Sequence, residues 1–150
     1  MIQLAGLGHV LLRVLDLERA KTFYSMLGFR VLEEDPEHGG TFMALPGQSH
    51  AIDLFAVKDA EAARRQTPGV RGLGHIAFRV DSEAALQEAY ATLRERGVEI
   101  TRTIDHVSQK SIYFDDPDGN TLEIYYELPN ALEIFARGRE DRDVPLALDR

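Results

Sequence analysis

Two short stretches of the chain carry a histidine at the same place in nearly the same sequence. Residues 7–14 read LGHVLLRV and residues 73–80 read LGHIAFRV, so His9 and His75 occupy matched positions. An imidazole can ligate a metal ion or exchange a proton near neutral pH, and the core of a strand needs neither ability. The repeat therefore indicates that both histidines serve a chemical role.

Two acidic residues show the same correspondence later in each repeat. The segment AIDLFAV (51–57) aligns with TLEIYYE (121–127), which makes Asp53 the counterpart of Glu123. The chain contains no cysteine, so any metal ion must be held by His, Asp or Glu. Imidazole and carboxylate ligands with open coordination positions suit Fe(II), Mn(II), Zn(II), Ni(II) or Co(II).

The elements that must position these side chains also occur twice. In each half the pattern predicts a strand at the histidine, a helix (16–29 and 81–97) and three further strands. The sequence DPDG at 116–119 favours a hairpin turn, because proline suits the second position of a turn and glycine suits a left-handed one. Two βαβββ units related by a pseudo-twofold axis would place His9 and His75 face to face.

The repeats define the predicted domain organisation. We expect one domain over residues 1–128, built of modules at about 5–57 and 73–127 with a polar linker at 58–72. The tail at 129–150 is charged, and one short helix is expected around NALEIFARG.

Composition narrows the classes of partner. The net charge of −8 and the pI near 5.1 argue against nucleic acid, because phosphate binding requires a basic face. No apolar run approaches the roughly 18 residues that a bilayer span requires. The first residues lack the features of a secretion signal, so we expect a cytoplasmic protein with no membrane contact.

Taken together, these motifs resemble the vicinal oxygen chelate superfamily, which includes glyoxalase I, fosfomycin-resistance proteins, methylmalonyl-CoA epimerase and extradiol dioxygenases. The resemblance covers roughly residues 5–128, and the stretch YFDDPDGNTLEIY (113–125) is similar to the C-terminal signature of the family. It implies an α+β fold in which the two modules form a shared, partly closed mixed sheet. It also implies that His9, His75 and Glu123 bind the metal.

Within the superfamily, the stretch from His106 to Glu123 resembles the signature of extradiol ring-cleaving dioxygenases. The resemblance implies that His106 contacts the substrate or the reacting oxygen and that Tyr113 hydrogen-bonds the substrate. The segment SHAIDLF (49–55) is similar to the one that carries a further histidine in that family, which makes His50 the expected acid or base. A small catecholic or related aromatic substrate, dioxygen and Fe(II) follow as expectations, with Mn, Zn, Ni or Co as alternative metals. A homodimer is expected because members of the family commonly pair modules.

Asp53 keeps other functions open. It occupies the position of an extra glutamate ligand in glyoxalase I, and a fourth ligand would favour a glyoxalase- or epimerase-like lyase or isomerase. A non-catalytic binding protein of the bleomycin-resistance type is the third alternative. Side chains alternate along a regular strand, so His50 and Asp53 can serve one site only if a bulge or the start of the strand lies between them.

Overall fold

A computed structural model describes residue 3 and residues 6–58, 72–138 and 142–148. The chain divides into two compact units, Met1–Arg65 and Gln66–Arg150. The elements of the first unit are β1 (Val10–Val14), α1 (Leu17–Met26), β2 (Arg30–Asp35), β3 (Gly40–Ala44) and β4 (Ile52–Ala56). Those of the second are β5 (Ile76–Val80), α2 (Glu83–Glu95), β6 (Ile100–Asp105), β7 (Gln109–Asp115), β8 (Thr121–Glu127), α3 (Ala131–Arg137) and β9 (Val144–Pro145).

Each long helix begins at a polar residue that caps it. The carboxylate of Asp16 accepts a hydrogen bond from the Arg19 amide at 3.0 Å, and the hydroxyl of Ser82 accepts one from the Ala85 amide at 3.1 Å. These bonds satisfy amides that the first turn of a helix leaves without partners. Glycines with positive φ follow both helices, at Gly28 and Gly97, and end them where the sequence predicts.

The two units share one topology. The first sheet has the order β1-β4-β3-β2 and the second has the order β5-β8-β7-β6-β9. In each sheet the first and last strands of the βαβββ repeat pair in parallel, β1 with β4 and β5 with β8, while the other neighbours are antiparallel. The two predicted βαβββ repeats are thus observed, one in each unit. Parallel pairing places the starts of paired strands side by side, and this determines which side chains meet.

Apolar side chains of the helix and the sheet form the core of each unit. The buried apolar residues of the first unit are Leu12, Val14, Ala20, Tyr24, Phe29, Met43, Ala44, Ile52 and Leu54. Those of the second unit include Leu86, Leu93, Ile112, Phe114, Leu122 and Ile124. Burial of these side chains supplies the main driving force that holds each helix on its sheet.

The segment after β8 adds structure beyond the repeat. The helix expected near NALEIFARG is α3, and β9 is a short strand that the sequence pattern does not predict. β9 extends the second sheet by pairing with β6. Most of the expected linker at 58–72 lies outside the described residues. None of the helices in the described ranges is both long and apolar enough to cross a membrane.

Candidate metal centre

In the first unit, His9, His50 and Asp53 form a cluster of metal-ligand type. His9 immediately precedes β1 and His50 lies two residues before β4, so the parallel pairing of these strands brings the two imidazoles together. His50 Nε2 lies 3.0 Å from His9 Nδ1, and Asp53 Oδ2 lies 3.5 Å from His9 Nε2 and 3.7 Å from His50 Nε2. One potential ligand atom from each of the three lies within 4.8 Å of the others.

Asp53 supplies an independent test of whether a cation fits this cluster. The residue is only 3% exposed, and its Oδ1 atom has no hydrogen-bond partner among the described residues. An ionised carboxylate that is buried without full pairing is costly, and a cation offsets that cost. Two ligands bound at about 2.0–2.2 Å to one ion lie roughly 3.0–3.5 Å apart, so the spacing of Asp53 and His9 suits a shared metal. The imidazoles of His9 and His50 and the carboxylate of Asp53 could therefore hold a divalent metal ion, as an alternative to the ligand set of His9, His75 and Glu123 that the resemblance implies.

His50 and Asp53 lie on the same side because the strand starts between them. β4 begins at Ile52, and His50 lies in the irregular segment before it. The alternation of a regular strand does not extend back to His50, so its side chain turns toward Asp53. The sequence left open a bulge or a strand start between the two residues. The structure has the strand start, and His50 and Asp53 both belong to the cluster.

In the second unit, His75 and Glu123 form the matching pair. His75 lies just before β5 and Glu123 lies on β8, with His75 Nε2 3.0 Å from Glu123 Oε2. Glu123 is 2% exposed, and its other oxygen accepts a hydrogen bond from Gln109 Nε2 at 3.0 Å. Sequence reasoning missed Gln109. The signal was available, because Gln109 lies four residues before Tyr113 on β7 and period-two alternation places both on one face.

Tyr113 joins Glu123 to His106. Tyr113 pairs directly with Glu123 in the β7–β8 register, and its hydroxyl lies 2.9 Å from His106 Nε2. Burial, and next the negative charge of Glu123, raises the pKa of Tyr113 to about 12. Because the ordinary tyrosine pKa is about 10, the phenol stays protonated and remains a hydrogen-bond donor near neutral pH. Arg102 lies over the Tyr113 ring, 4.2 Å from its centroid.

The predicted site residues therefore divide between the units. His9 lies in the first unit beside His50 and Asp53, whereas His75 and Glu123 lie in the second beside Tyr113. His106 also lies in the second unit, where its Nε2 is 2.9 Å from the Tyr113 hydroxyl. The assignment of His9, His75 and Glu123 as the metal ligands, and of His50, His106 and Tyr113 as catalytic residues, stays a prediction.

Comparison with known proteins identifies the family. Residues 6–124 match the model of the Glyoxalase/Bleomycin resistance protein/Dioxygenase superfamily. The chain therefore belongs to this superfamily, which confirms the resemblance. The family includes both dioxygenases and lyases, and its members bind divalent metals and act on small molecules.

Individual relatives are consistent with this membership. The chain is 29% identical over 136 residues to biphenyl-2,3-diol 1,2-dioxygenase 2 of Rhodococcus globerulus, with coverage of 88% of this chain and 70% of the relative. It is 31% identical over 138 residues to biphenyl-2,3-diol 1,2-dioxygenase 3 of the same organism, with coverage of 91% and 68%.

A solved structure supports the fold. A glyoxylase/bleomycin resistance protein/dioxygenase domain from Frankia sp. EAN1pec matches with a TM-score of 0.72 and 26% identity, covering 84% of this chain and 100% of that domain. The α+β fold of the vicinal oxygen chelate type is thereby confirmed. Its described strands form two mixed sheets, one in each unit, where the resemblance implied one shared, partly closed sheet.

Proposed function

We propose that this protein is a divalent-metal-dependent extradiol-type dioxygenase that cleaves the ring of a small catecholic or related aromatic substrate. The observation that carries the proposal is the chain of contacts from Glu123 through Tyr113 to His106. It combines a candidate metal ligand, a phenol donor that stays neutral and an imidazole that can accept a proton. The two relatives named as biphenyl-2,3-diol dioxygenases support the same substrate class.

The proposal assigns a role to each side chain. His9, His75 and Glu123 are the metal ligands, and the metal, when bound, would supply a Lewis acid at which an aromatic diol and dioxygen react. Tyr113 donates its hydroxyl proton in a hydrogen bond and so orients a substrate oxygen. His106 holds or receives a proton at Nε2, the nitrogen that faces Tyr113. His50 is the acid or base that exchanges a proton with the substrate hydroxyl.

A second function is favoured by Asp53. Its buried carboxylate lies in reach of His9 and has an oxygen without a hydrogen-bond partner in the described part of the chain. As a fourth ligand it would suit a glyoxalase- or epimerase-like lyase or isomerase, in which a proton moves next to a carbonyl. The third alternative is a binding protein of the bleomycin-resistance type. The retained ligand-type residues argue against it, because sequestering a ligand needs no set of metal ligands.

Other features of the proposal follow from the family. Fe(II) is the proposed metal, since two imidazoles and one carboxylate with open positions suit it, and Mn, Zn, Ni and Co are the alternatives. A homodimer and a cytoplasmic location are proposed as well.

The test is metal analysis of anaerobically purified protein, followed by oxygen uptake with a panel of catechols. We expect about one metal ion per chain and uptake of one dioxygen for each substrate consumed, with a ring-opened product detected by mass spectrometry. The variant Tyr113→Phe keeps the ring and the proposed metal ligands but removes the hydroxyl donor, so it should bind metal like the parent and consume oxygen more slowly. Stoichiometric metal without oxygen uptake, combined with proton exchange next to the carbonyl of a hemithioacetal or thioester, would identify the second function instead.

A further inference from the structure

A carboxylate from the C-terminal segment lies against His106. Asp143 Oδ1 is 2.8 Å from His106 Nδ1, while the other ring nitrogen, Nε2, is 2.9 Å from the Tyr113 hydroxyl. His106 thus lies between an acidic residue and a phenol, with a different partner at each nitrogen. The family resemblance covers residues 5–128, so this acidic residue lies beyond the part of the chain that the resemblance explains.

Backbone pairing holds Asp143 in this place. β9 pairs with β6 in an antiparallel register in which Ile104 faces Pro145 and Asp105 faces Val144. Continuing the register by one residue places Asp143 directly opposite His106, at the distance where cross-strand side chains meet. The position of Asp143 is therefore determined by the sheet.

Two hydrogen bonds on the far side of β9 reinforce the pairing. The Thr103 hydroxyl donates to the Leu146 carbonyl at 2.7 Å, and the Leu146 amide donates to the Thr103 carbonyl at 3.2 Å. They fix the segment after β9 against β6 and leave Asp143 at the end nearest His106.

The turn after β6 fixes the backbone next to His106. Val107 has a φ of 69°, which is rare for a β-branched residue, and the Ser108 amide donates to the His106 carbonyl at 2.8 Å. The Val107 amide in turn donates to Asp105 Oδ1 at 2.8 Å. An uncommon backbone conformation that neighbouring bonds maintain next to a candidate catalytic side chain indicates that its orientation matters.

The carboxylate determines which nitrogen of His106 carries the permanent proton. An ionised carboxylate can only accept hydrogen bonds, so Nδ1 must be the donor to Asp143. In the neutral imidazole Nε2 then carries no proton and accepts a hydrogen bond from the Tyr113 hydroxyl. In the imidazolium Nε2 donates to the Tyr113 oxygen, which leaves the hydroxyl proton of Tyr113 available to a substrate oxygen. The proton that can move is therefore the one on Nε2, which faces Tyr113.

We propose that Asp143 is a positioning residue that fixes the orientation and tautomer of His106, so that Nε2 faces Tyr113. The C-terminal segment is then part of the site. This inference rests on the proposed function for its catalytic meaning, because it completes an arrangement in which a third group orients a base. The geometry of the three side chains stands without it.

The first experiment measures the tautomer directly and needs no activity. The full chain, labelled with ¹⁵N-histidine, is studied in its metal-free form at a pH where imidazole is neutral, and His106→Gln assigns the His106 signals among the five histidines. We expect the parent His106 to carry its proton on Nδ1. In Asp143→Ala we expect a shift toward the Nε2–H form that free imidazoles prefer, and in Asp143→Glu a return of the Nδ1–H form.

The control variant is Glu133→Ala, which removes an exposed acidic residue from α3 in the same C-terminal segment. It should leave the His106 signals unchanged. A parent spectrum that shows the His106 proton on Nε2 would overturn the proposal by itself. The proposal can therefore be tested even if Asp143→Ala does not fold. An unaltered tautomer in folded Asp143→Ala would overturn it equally.

The second experiment uses oxygen uptake by the metal-loaded protein. In Asp143→Ala we expect kcat to fall about 10- to 100-fold, the usual effect of losing a partner that orients a functional histidine, with metal content unchanged. Glu133→Ala should keep the parental kcat. If the parent consumes no oxygen with any catechol, the proposed function fails, whereas the tautomer measurement still decides the role of Asp143.

Discussion

Replacement of His9 by alanine should abolish metal binding while the protein stays folded. His9 belongs to the ligand set of both proposed enzymes, so loss of metal binding is expected whichever of them is correct. His9 precedes β1, and its side chain is 47% exposed. Compared without metal, the variant should therefore have an unfolding free energy no more than about 0.5 kcal/mol below that of the parent. The variant therefore tests metal binding separately from folding.

The size of the effect follows from linkage. A metal present at 100 times its Kd stabilises the folded chain by about 2.7 kcal/mol. For 150 residues the entropy of unfolding near the midpoint is about 0.3 kcal/mol per kelvin, since each residue contributes about 2.1 cal/mol/K. The parent should therefore gain about 9 °C in Tm when Mn(II) is added, and His9→Ala should gain less than about 1 °C, given the same scaling.

The assay is thermal unfolding with and without Mn(II), combined with atomic spectroscopy of the dialysed protein. His38→Ala is the matched control, because it also removes an imidazole from the first unit, from a side chain that is 64% exposed and paired with Asp35 at 2.9 Å. The control should keep the full gain in Tm. His75→Ala should behave as His9→Ala does. A His9→Ala protein that retains stoichiometric metal and the parental gain would refute the assignment of His9 as a ligand.

Three further predictions concern other residues of the candidate site and the turn after β6. His50→Phe should slow oxygen uptake by about 10²–10⁴ without loss of metal, whereas Asp53→Ala should change metal content and oxygen uptake only slightly. The opposite pattern, with metal and activity lost in Asp53→Ala and little effect of His50→Phe, would support the glyoxalase-like function. The unfolding free energy of the metal-free protein should fall between about pH 10 and 12, because the pKa of Tyr113 is raised to about 12 and the folded chain keeps a proton that the unfolded chain releases. In Tyr113→Phe the unfolding free energy, measured by urea denaturation at both pH values, should fall less. An identical fall in the variant would contradict the raised pKa of Tyr113. Val107→Asn should raise the unfolding free energy by about 1 kcal/mol, since asparagine tolerates the positive φ that strains valine; a lower stability in urea would argue against strain at this turn.

Local sequence was sufficient to predict the three helices and the eight strands of the two repeats, but not β9. The helix starts at Asp16 and Ser82 depend on hydrogen bonds that span three residues. The hairpin at DPDG depends on a turn in which the Gly119 amide donates to the Asp116 carbonyl and Gly119 has a φ of 83°. Such features are encoded by neighbours in the chain, so composition and spacing reveal them. The matched histidines and acids were visible for the same reason, because each repeat folds into the same elements.

The contacts of the candidate site depended on pairing between distant segments. The meeting of His50 with His9 requires the parallel pairing of β1 with β4 and a strand that starts only at Ile52, and neither can be read from the residues around His50. Gln109 reaches Glu123 only because β7 pairs with β8.

Asp143 is the clearest case of this dependence. It reaches His106 because a two-residue strand without any periodic signal adds to the edge of the second sheet. The sequence by itself therefore determined which chemical groups the chain carries and the elements that bear them. The tertiary structure decided which of these groups touch, because hydrogen bonds between strands far apart in the sequence determine the register that brings them together.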